Sequence, residues 1–224
     1  MQAKDTEQLG TMSVGRLLAK LSVPAITAQL INMLYNMVDR MYIGHMEGTG
    51  KLALTGMGVC MPLILVISAF AALVSMGSAS RASIALGKGD INTAERTLGN
   101  STTLLTIIAI TLTVLMLAFA EPLLMAFGAS ENTIGYALDY MRIYALGTLF
   151  VQLTLGLNAF ITAQGFSRES MLTVVIGAVI NIALDPLFIF TFGMGVKGAA
   201  LATIISQCVS MIWILRFLTG KRTT

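Results

Sequence analysis

Apolar positions fill this chain in long runs, and polar positions cluster briefly between them. Two runs, 52–80 and 97–120, contain no charged residue at all. Each exceeds the ~20 residues that carry a helix across a bilayer. The pattern predicts six spans, over 17–43, 52–80, 97–120, 134–162, 170–192 and 198–218. Spans one, two and four are long enough to tilt or to protrude from the hydrocarbon layer. Glycines punctuate the connections. Gly87-Lys-Gly89-Asp90 opens the loop after span two, Gly165 closes span four as a helix C-cap would, and Gly193-Met-Gly195 ends span five. The expected fold is an all-α membrane protein, a six-transmembrane-helix bundle. It divides into a polar segment 1–16, a membrane region 17–218 and the start of a linker at 219–224.

Composition agrees with the pattern. Of the residues, 56% are hydrophobic and 11% charged, and mean hydropathy is +0.82. A soluble domain carries roughly 25% charged residues. The sequence pI of 9.0 therefore reflects basic loops rather than a nucleic-acid partner. With six spans, both termini share a side with the loops after spans two and four. That side holds Lys4, Arg16, Lys20, Arg81, Lys88, Arg96, Arg168, Arg216, Lys221 and Arg222, against Arg40, Lys51, Arg142 and Lys197 on the other. This asymmetry predicts cytoplasmic termini. No cleavable signal peptide is legible.

The polar residues inside the spans carry the candidate chemistry. Span five contains Asn181-Ile-Ala-Leu-Asp185-Pro186. An acid at bilayer depth costs ~2.5–3.5 kcal/mol, so it faces a partner, water or a transported ion. Pro186 has no N–H for the carbonyl of Ile182, so a kink is expected there. Asn181 lies one turn before Asp185 on the same face. In span one Gln29, Asn32, Asn36 and Asp39 form a stripe at spacings of three, four and three, joined by Tyr35. Asp39 taken alone also reads as half of an interfacial pair with Arg40. Two acids held close in one buried pocket would have to share a proton or a cation. Span four offers Gln152, Asn158 and Gln164, with Tyr140 and Tyr144 towards its outer end, and span six Thr203, Ser206, Gln207 and Ser210. Serine, threonine and a single asparagine are common in membrane helices as packing and bonding groups, so singly they indicate little.

Other candidates fall away. Cys60 and Cys208 lie inside apolar runs and read as packing residues, and His45, the one histidine, has no Cys or His neighbour. No structural metal or organic cofactor is implied. Gly87–Asp90 spells the Gly-x-Gly-Asp of intramembrane aspartyl proteases, but Lys88, Asn92, Glu95 and Arg96 place it in a loop. No nucleophile–base pair is visible, which argues against an enzyme.

Several segments in order resemble the N-terminal half of the multidrug and toxic compound extrusion (MATE) transporters. They are Pro24-Ala-Ile, Val38-Asp39-Arg-Met-Tyr-Ile-Gly44, Leu52-Ala-Leu-Thr-Gly56-Met-Gly58, Gly87-Lys-Gly89-Asp90, Ala163-Gln-Gly165-Phe-Ser-Arg168, Asn181-Ile-Ala-Leu-Asp185-Pro186 and Gly195-Val-Lys-Gly198-Ala-Ala. The Asn-x-x-x-Asp-Pro element is similar to the prokaryotic branch with two acids in this lobe. The resemblance implies a 6+6 transporter of which this is one lobe, paired with a second six-helix lobe or another copy. It implies a prokaryotic cytoplasmic membrane and an antiporter that exports organic, often cationic, drugs against Na+ or H+. It assigns Asp39, Asn181, Asp185 and Thr203 to the coupling ion, and Asn32, Tyr35, Asn36, Tyr140, Asn158 and Gln207 to the cavity. Lipid-linked sugar flippases of the same superfamily are an alternative, though they would need basic residues in the span cores, and a non-transporting membrane module is another.

Overall fold

The structure, a computed structural model, describes residues 13–220. Most of the expected polar segment 1–16, part of the 219–224 tail, and Lys4, Lys221 and Arg222 lie outside the described residues. Long apolar runs give long helices: α1 Val14–Gly44, α2 Gly50–Gly87 and α3 Ile91–Ala126. Then come α4 Ile134–Leu146, α5 Thr148–Ala163, α6 Ser167–Pro186 and α7 Val196–Leu218. Five helices, counting α6 with the turn that follows it, are each long and apolar enough to cross a membrane, and α4 with α5 makes a sixth. The helices outrun the uncharged segments, because nothing in the flanking polar residues interrupts the backbone ladder where the hydrocarbon ends.

The expected span over 134–162 is present but broken at Gly147, where α4 and α5 meet at 58°. A Cβ on Gly147 would sit 2.3 Å from a side-chain carbon of Ile204, so the break is where α7 passes closest. Span five departs from a simple kink. The α-helical ladder ends at Pro186 and a single π-helical turn, Leu187–Thr191, follows. Pro186 cannot donate, the register slips, and Phe192 N–H reaches back five residues to Leu187 O at 2.9 Å.

Two helix ends show how the loops were readable. Gly89 and Gly165 have φ of +75° and +89°, which glycine adopts without strain. Each builds a double-bonded stop: Gly165 N–H to Thr162 O and Phe166 N–H to Ile161 O, with the equivalent pair from Gly89 and Asp90. Asp90 then caps α3. Its carboxylate accepts from Thr93 N–H at 3.0 Å and from the Thr93 hydroxyl at 2.6 Å.

The helices bury two apolar layers. One, including Ile43, Met57, Leu63, Leu124 and Ile189, fills the end that carries the α1–α2 turn. The other, including Val74, Leu105, Leu157, Phe160 and Ile214, fills the end where α1 begins and α7 ends. Cys60 is fully buried in the first layer, its thiol directed at the carbonyls of Gly56 and Ala137, and Cys208 is half-buried. α1 packs chiefly along α6 and only slightly on α2. α7 runs through the middle and touches α4, α5 and α6.

Two outcomes test this architecture. A Cβ on Gly198 would lie 2.7 Å from the carbonyl carbon of Phe188, a backbone atom that cannot swing aside. Gly198→Val should cost about 1–3 kcal/mol by overpacking the π turn, read as a lower unfolding temperature in detergent. The Thr93 hydroxyl and amide hold the Asp90 carboxyl below its ordinary value of 3.8. That stabilisation is present above the unfolded value and is lost as pH falls through the lowered one. Hydrogen-exchange protection in the first turn of α3 should therefore drop on acidification, and Asp90→Asn should remove that pH dependence.

A polar cavity between the apolar layers

Between the two layers lies a cavity of about 400 Å³, walled by α1, α2, α4, α5, α6 and α7. Asn32, Tyr35, Asn36, Tyr140, Asn158 and Gln207 all line it. Of the four residues expected to bind the ion, Asp39 and Thr203 line this cavity, whereas Asn181 and Asp185 stand behind its wall. All four are buried, with exposures of 3% for Asp39, 1% for Asn181, 0% for Asp185 and 7% for Thr203.

The local chain explains their meeting. Asn181 and Asp185 are one turn apart on α6, and the Asn181 amide nitrogen donates to Asp185 Oδ1 at 3.4 Å. The same nitrogen donates to Thr203 Oγ1 on α7, also at 3.4 Å. Thr203 spends its own proton on Ala199 O at 3.0 Å, so its oxygen is free to accept from the amide. Asn181 thus ties α6 to α7 through one N–H₂ group. Among the described residues, these four leave three buried oxygens without a partner: Asp39 Oδ1, Asn181 Oδ1 and Asp185 Oδ2. Native structures leave few such atoms, and each calls for a bound water, ion or proton.

The polar stripe of α1 divides. Asp39 and Tyr35 turn inward, Asn32 and Asn36 reach both the cavity and the open groove beside α1, and Gln29 belongs to the groove alone. Asn36 donates to Asn32 O at 2.7 Å. The interfacial reading of Asp39 with Arg40 does not describe the structure. Asp39 is buried, while Arg40 is exposed and touches Met61 Sδ at 3.4 Å. A helical step of one residue turns successive side chains by 100°, so the two cannot share a face. Asn158 does both jobs weighed for it. It donates across helices to Ser170 O at 3.3 Å, and its carbonyl oxygen is buried and unpartnered at the cavity.

Sequence reasoning gave no cavity role to Tyr144, Thr154, Thr173, Ser206 or Ser210, which also line it, and Tyr140 stacks on Tyr144 with centroids 5.9 Å apart. The Tyr140/Tyr144 spacing of four was a usable signal. The hydroxyls carried none, since they are indistinguishable from those that merely bond back to their own helix. Gln152, fully buried, donates to Ile67 O of α2 at 2.7 Å and keeps an unpartnered Oε1. Among the described residues no group of three or more His, Cys, Asp or Glu is placed to hold a metal.

Residues 24–187 match the MatE family, most of the chain's length. The chain belongs to that family. The FAD transporter of Shewanella oneidensis is 28% identical over 212 residues, covering 93% of this chain and 46% of that protein. The multidrug export protein MepA of Staphylococcus haemolyticus is 27% identical over 212 residues, covering 95% of this chain and 46% of that one. An outward-facing multidrug resistance MATE transporter superposes with a TM-score of 0.88 at 29% identity, over 97% of this chain and 48% of that one. The chain spans about half the length of these relatives and corresponds to the N-terminal lobe of a full MATE transporter. It is a multi-pass membrane protein of a transporter family.

The amide bridge is open to a direct test. Asn181→Leu would strip Asp185 Oδ1 and Thr203 Oγ1 of a shared donor while keeping volume. The expected loss is about 1–3 kcal/mol, the cost of leaving buried polar groups unsatisfied, measured as a lowered unfolding temperature.

Proposed function

We propose that this chain is the N-terminal half of a cation-coupled multidrug efflux antiporter, exporting organic, often cationic, compounds against an inward flow of Na+ or H+. The observation that carries the reading is the set of buried, unpartnered oxygens on Asp39 at the cavity and on Asn181 and Asp185 at the amide bridge. Two carboxylates and neutral amide and hydroxyl oxygens are a hard, oxygen-only donor set. It suits Na+, or a proton held on an acid, and not a soft transition metal. Here the ion is cargo. Asp39 would meet it from the cavity, and Asp185 would receive it behind the wall, past Thr203 and Asn181.

Coupling follows from where these groups sit. Asp39 is on α1, Asn181 and Asp185 are on α6, and Thr203 is on α7. An ion bridging the acids draws α1, α6 and α7 together, and its loss leaves like charges that push them apart. The π turn after Pro186 gives α6 a place to yield. Export and ion entry are linked when drug and ion favour different arrangements of the lobe. The drug would occupy the cavity lined by Asn32, Tyr35, Asn36, Tyr140, Asn158 and Gln207, together with a second six-helix lobe. The reading includes a prokaryotic cytoplasmic membrane with both termini cytoplasmic.

A lipid-linked sugar or another diphosphate-bearing cargo fits less well. Such anions call for Arg or Lys in the binding site. Asp39 is the one charged residue among those that line the cavity. The name of the Shewanella oneidensis relative, FAD transporter, describes such a cargo for that protein.

In the full-length transporter Asp185→Asn should abolish coupled export of a cationic dye while leaving the protein at its normal level in the membrane. Undiminished dye resistance would remove Asp185 from the coupling site. Thr203→Ala should weaken the sodium dependence of transport if sodium is the coupling ion, and an unchanged sodium response would exclude Thr203.

A further inference from the structure

The uncharged run 52–80 ends directly at Arg81, and the uncharged run 97–120 begins directly after Arg96. α2 and α3 are antiparallel neighbours joined by the Gly89–Asp90 turn, so the two arginines stand at the same membrane boundary on adjacent helices. They line one open cavity of about 500 Å³, together with Ser78, Asn100 and Leu104. Both guanidinium groups are exposed, and neither forms an ion pair among the described residues.

The neighbouring acids and hydroxyls leave those charges available. Glu95 belongs to a separate crevice beside Phe160 and Gln164. Asp90 lies within the field of Arg96, but both of its oxygens are engaged by Thr93. Thr97 and Ser101 spend their protons on the carbonyls of Thr93 and Thr97. The donors left over among the lining residues are the two guanidinium forks, the amide of Asn100 and the hydroxyl of Ser78.

From this boundary inward, each helix repeats the same gradient at steps of four residues. On α2 it reads Arg81, Gly77, Leu73, and on α3 Arg96, Asn100, Leu104. Positions four apart share a face, so each stripe falls from charge to small or polar to apolar over two turns, about 11 Å. Leu73 is 71% exposed and Leu104 47%. Charge, then hydrogen bonding, then apolar surface is the profile of a single amphiphile lying along the bilayer normal.

We propose that this groove between α2 and α3 is a binding site for an anionic glycerophospholipid. The phosphate sits between Arg81 and Arg96, the glycerol and ester oxygens lie at the level of Ser78 and Asn100, and an acyl chain runs past Leu73 and Leu104. A guanidinium fork matches two phosphate oxygens, and two forks from two helices clamp the group while tying α2 to α3. Basic pockets between helices at a membrane face are suited to acidic headgroups.

Native mass spectrometry of the full-length protein, with added phosphatidylglycerol or phosphatidylcholine, tests the site. Phosphatidylglycerol adducts should survive activation that strips phosphatidylcholine. The double variant Arg81→Gln with Arg96→Gln should lose phosphatidylglycerol affinity by about tenfold or more. Arg168→Gln with Arg216→Gln, at the same end of the bundle but outside the groove, should retain it. Should the glutamine pair fail to fold, Arg81→Lys with Arg96→Lys keeps the charge and removes the forks, and is expected to bind more weakly than wild type. Equal retention of both lipids, equal loss in the two double variants, or no loss in the lysine pair would overturn the proposal. So would displacement of the lipid by millimolar inorganic phosphate, which would identify a free-phosphate site instead.

Discussion

One side-chain amide holds the centre of this lobe together. The Asn181 nitrogen has two hydrogens, and it gives one to Asp185 on its own helix and one to Thr203 on the next. That arrangement fixes the rotation of α6 against α7, and so fixes what Asp185 and Thr203 face. It also leaves the amide oxygen and one carboxylate oxygen unspent in a place where water is scarce. A buried acid is tolerable in a membrane only if something neutralises it.

The same economy shapes the backbone around the site. Pro186 follows Asp185 directly and interrupts the ladder, and the π turn beyond it ends at two glycines with positive φ. Gly198 then lets α7 begin in contact with Phe188. The segment next to the acid is therefore the least regular in the bundle, and the closest approach of α6 and α7 depends on residues without side chains. The break at Gly147 is a counterpart on the other side of α7, where Ile204 fills the space that a Cβ would take.

The chemistry that classifies the protein is sparse compared with the apolar mass around it. The cavity wall carries one charged side chain, several amides and tyrosines, and methionines Met57 and Met61 that adapt their shape. Charge is instead concentrated at the membrane boundary, where Arg81 and Arg96 close two long uncharged runs.

Much of this was legible along the chain. Uncharged runs longer than a bilayer dictate membrane helices whatever their neighbours do, and the i, i+4 spacing of Asn181 and Asp185 dictates a shared face. Glycine stops at Gly89 and Gly165 follow from the one backbone conformation that ends a helix so tightly. Other features depended on neighbours that no local pattern names. Gly147 becomes a 58° break only because α7 passes beside it. Asp39 and Arg40 part company, one buried and one exposed, because α1 lies along α6 and leaves its other side open. Most of all, residues 39, 181 and 203 are far apart in sequence, and hydroxyls such as Thr203 look like any other in a membrane helix. The sequence by itself determined six long apolar crossings and the polar residues set within them. Only tertiary packing decided which of their oxygens would be left without a partner, because satisfaction of a buried polar group depends on which helix faces it.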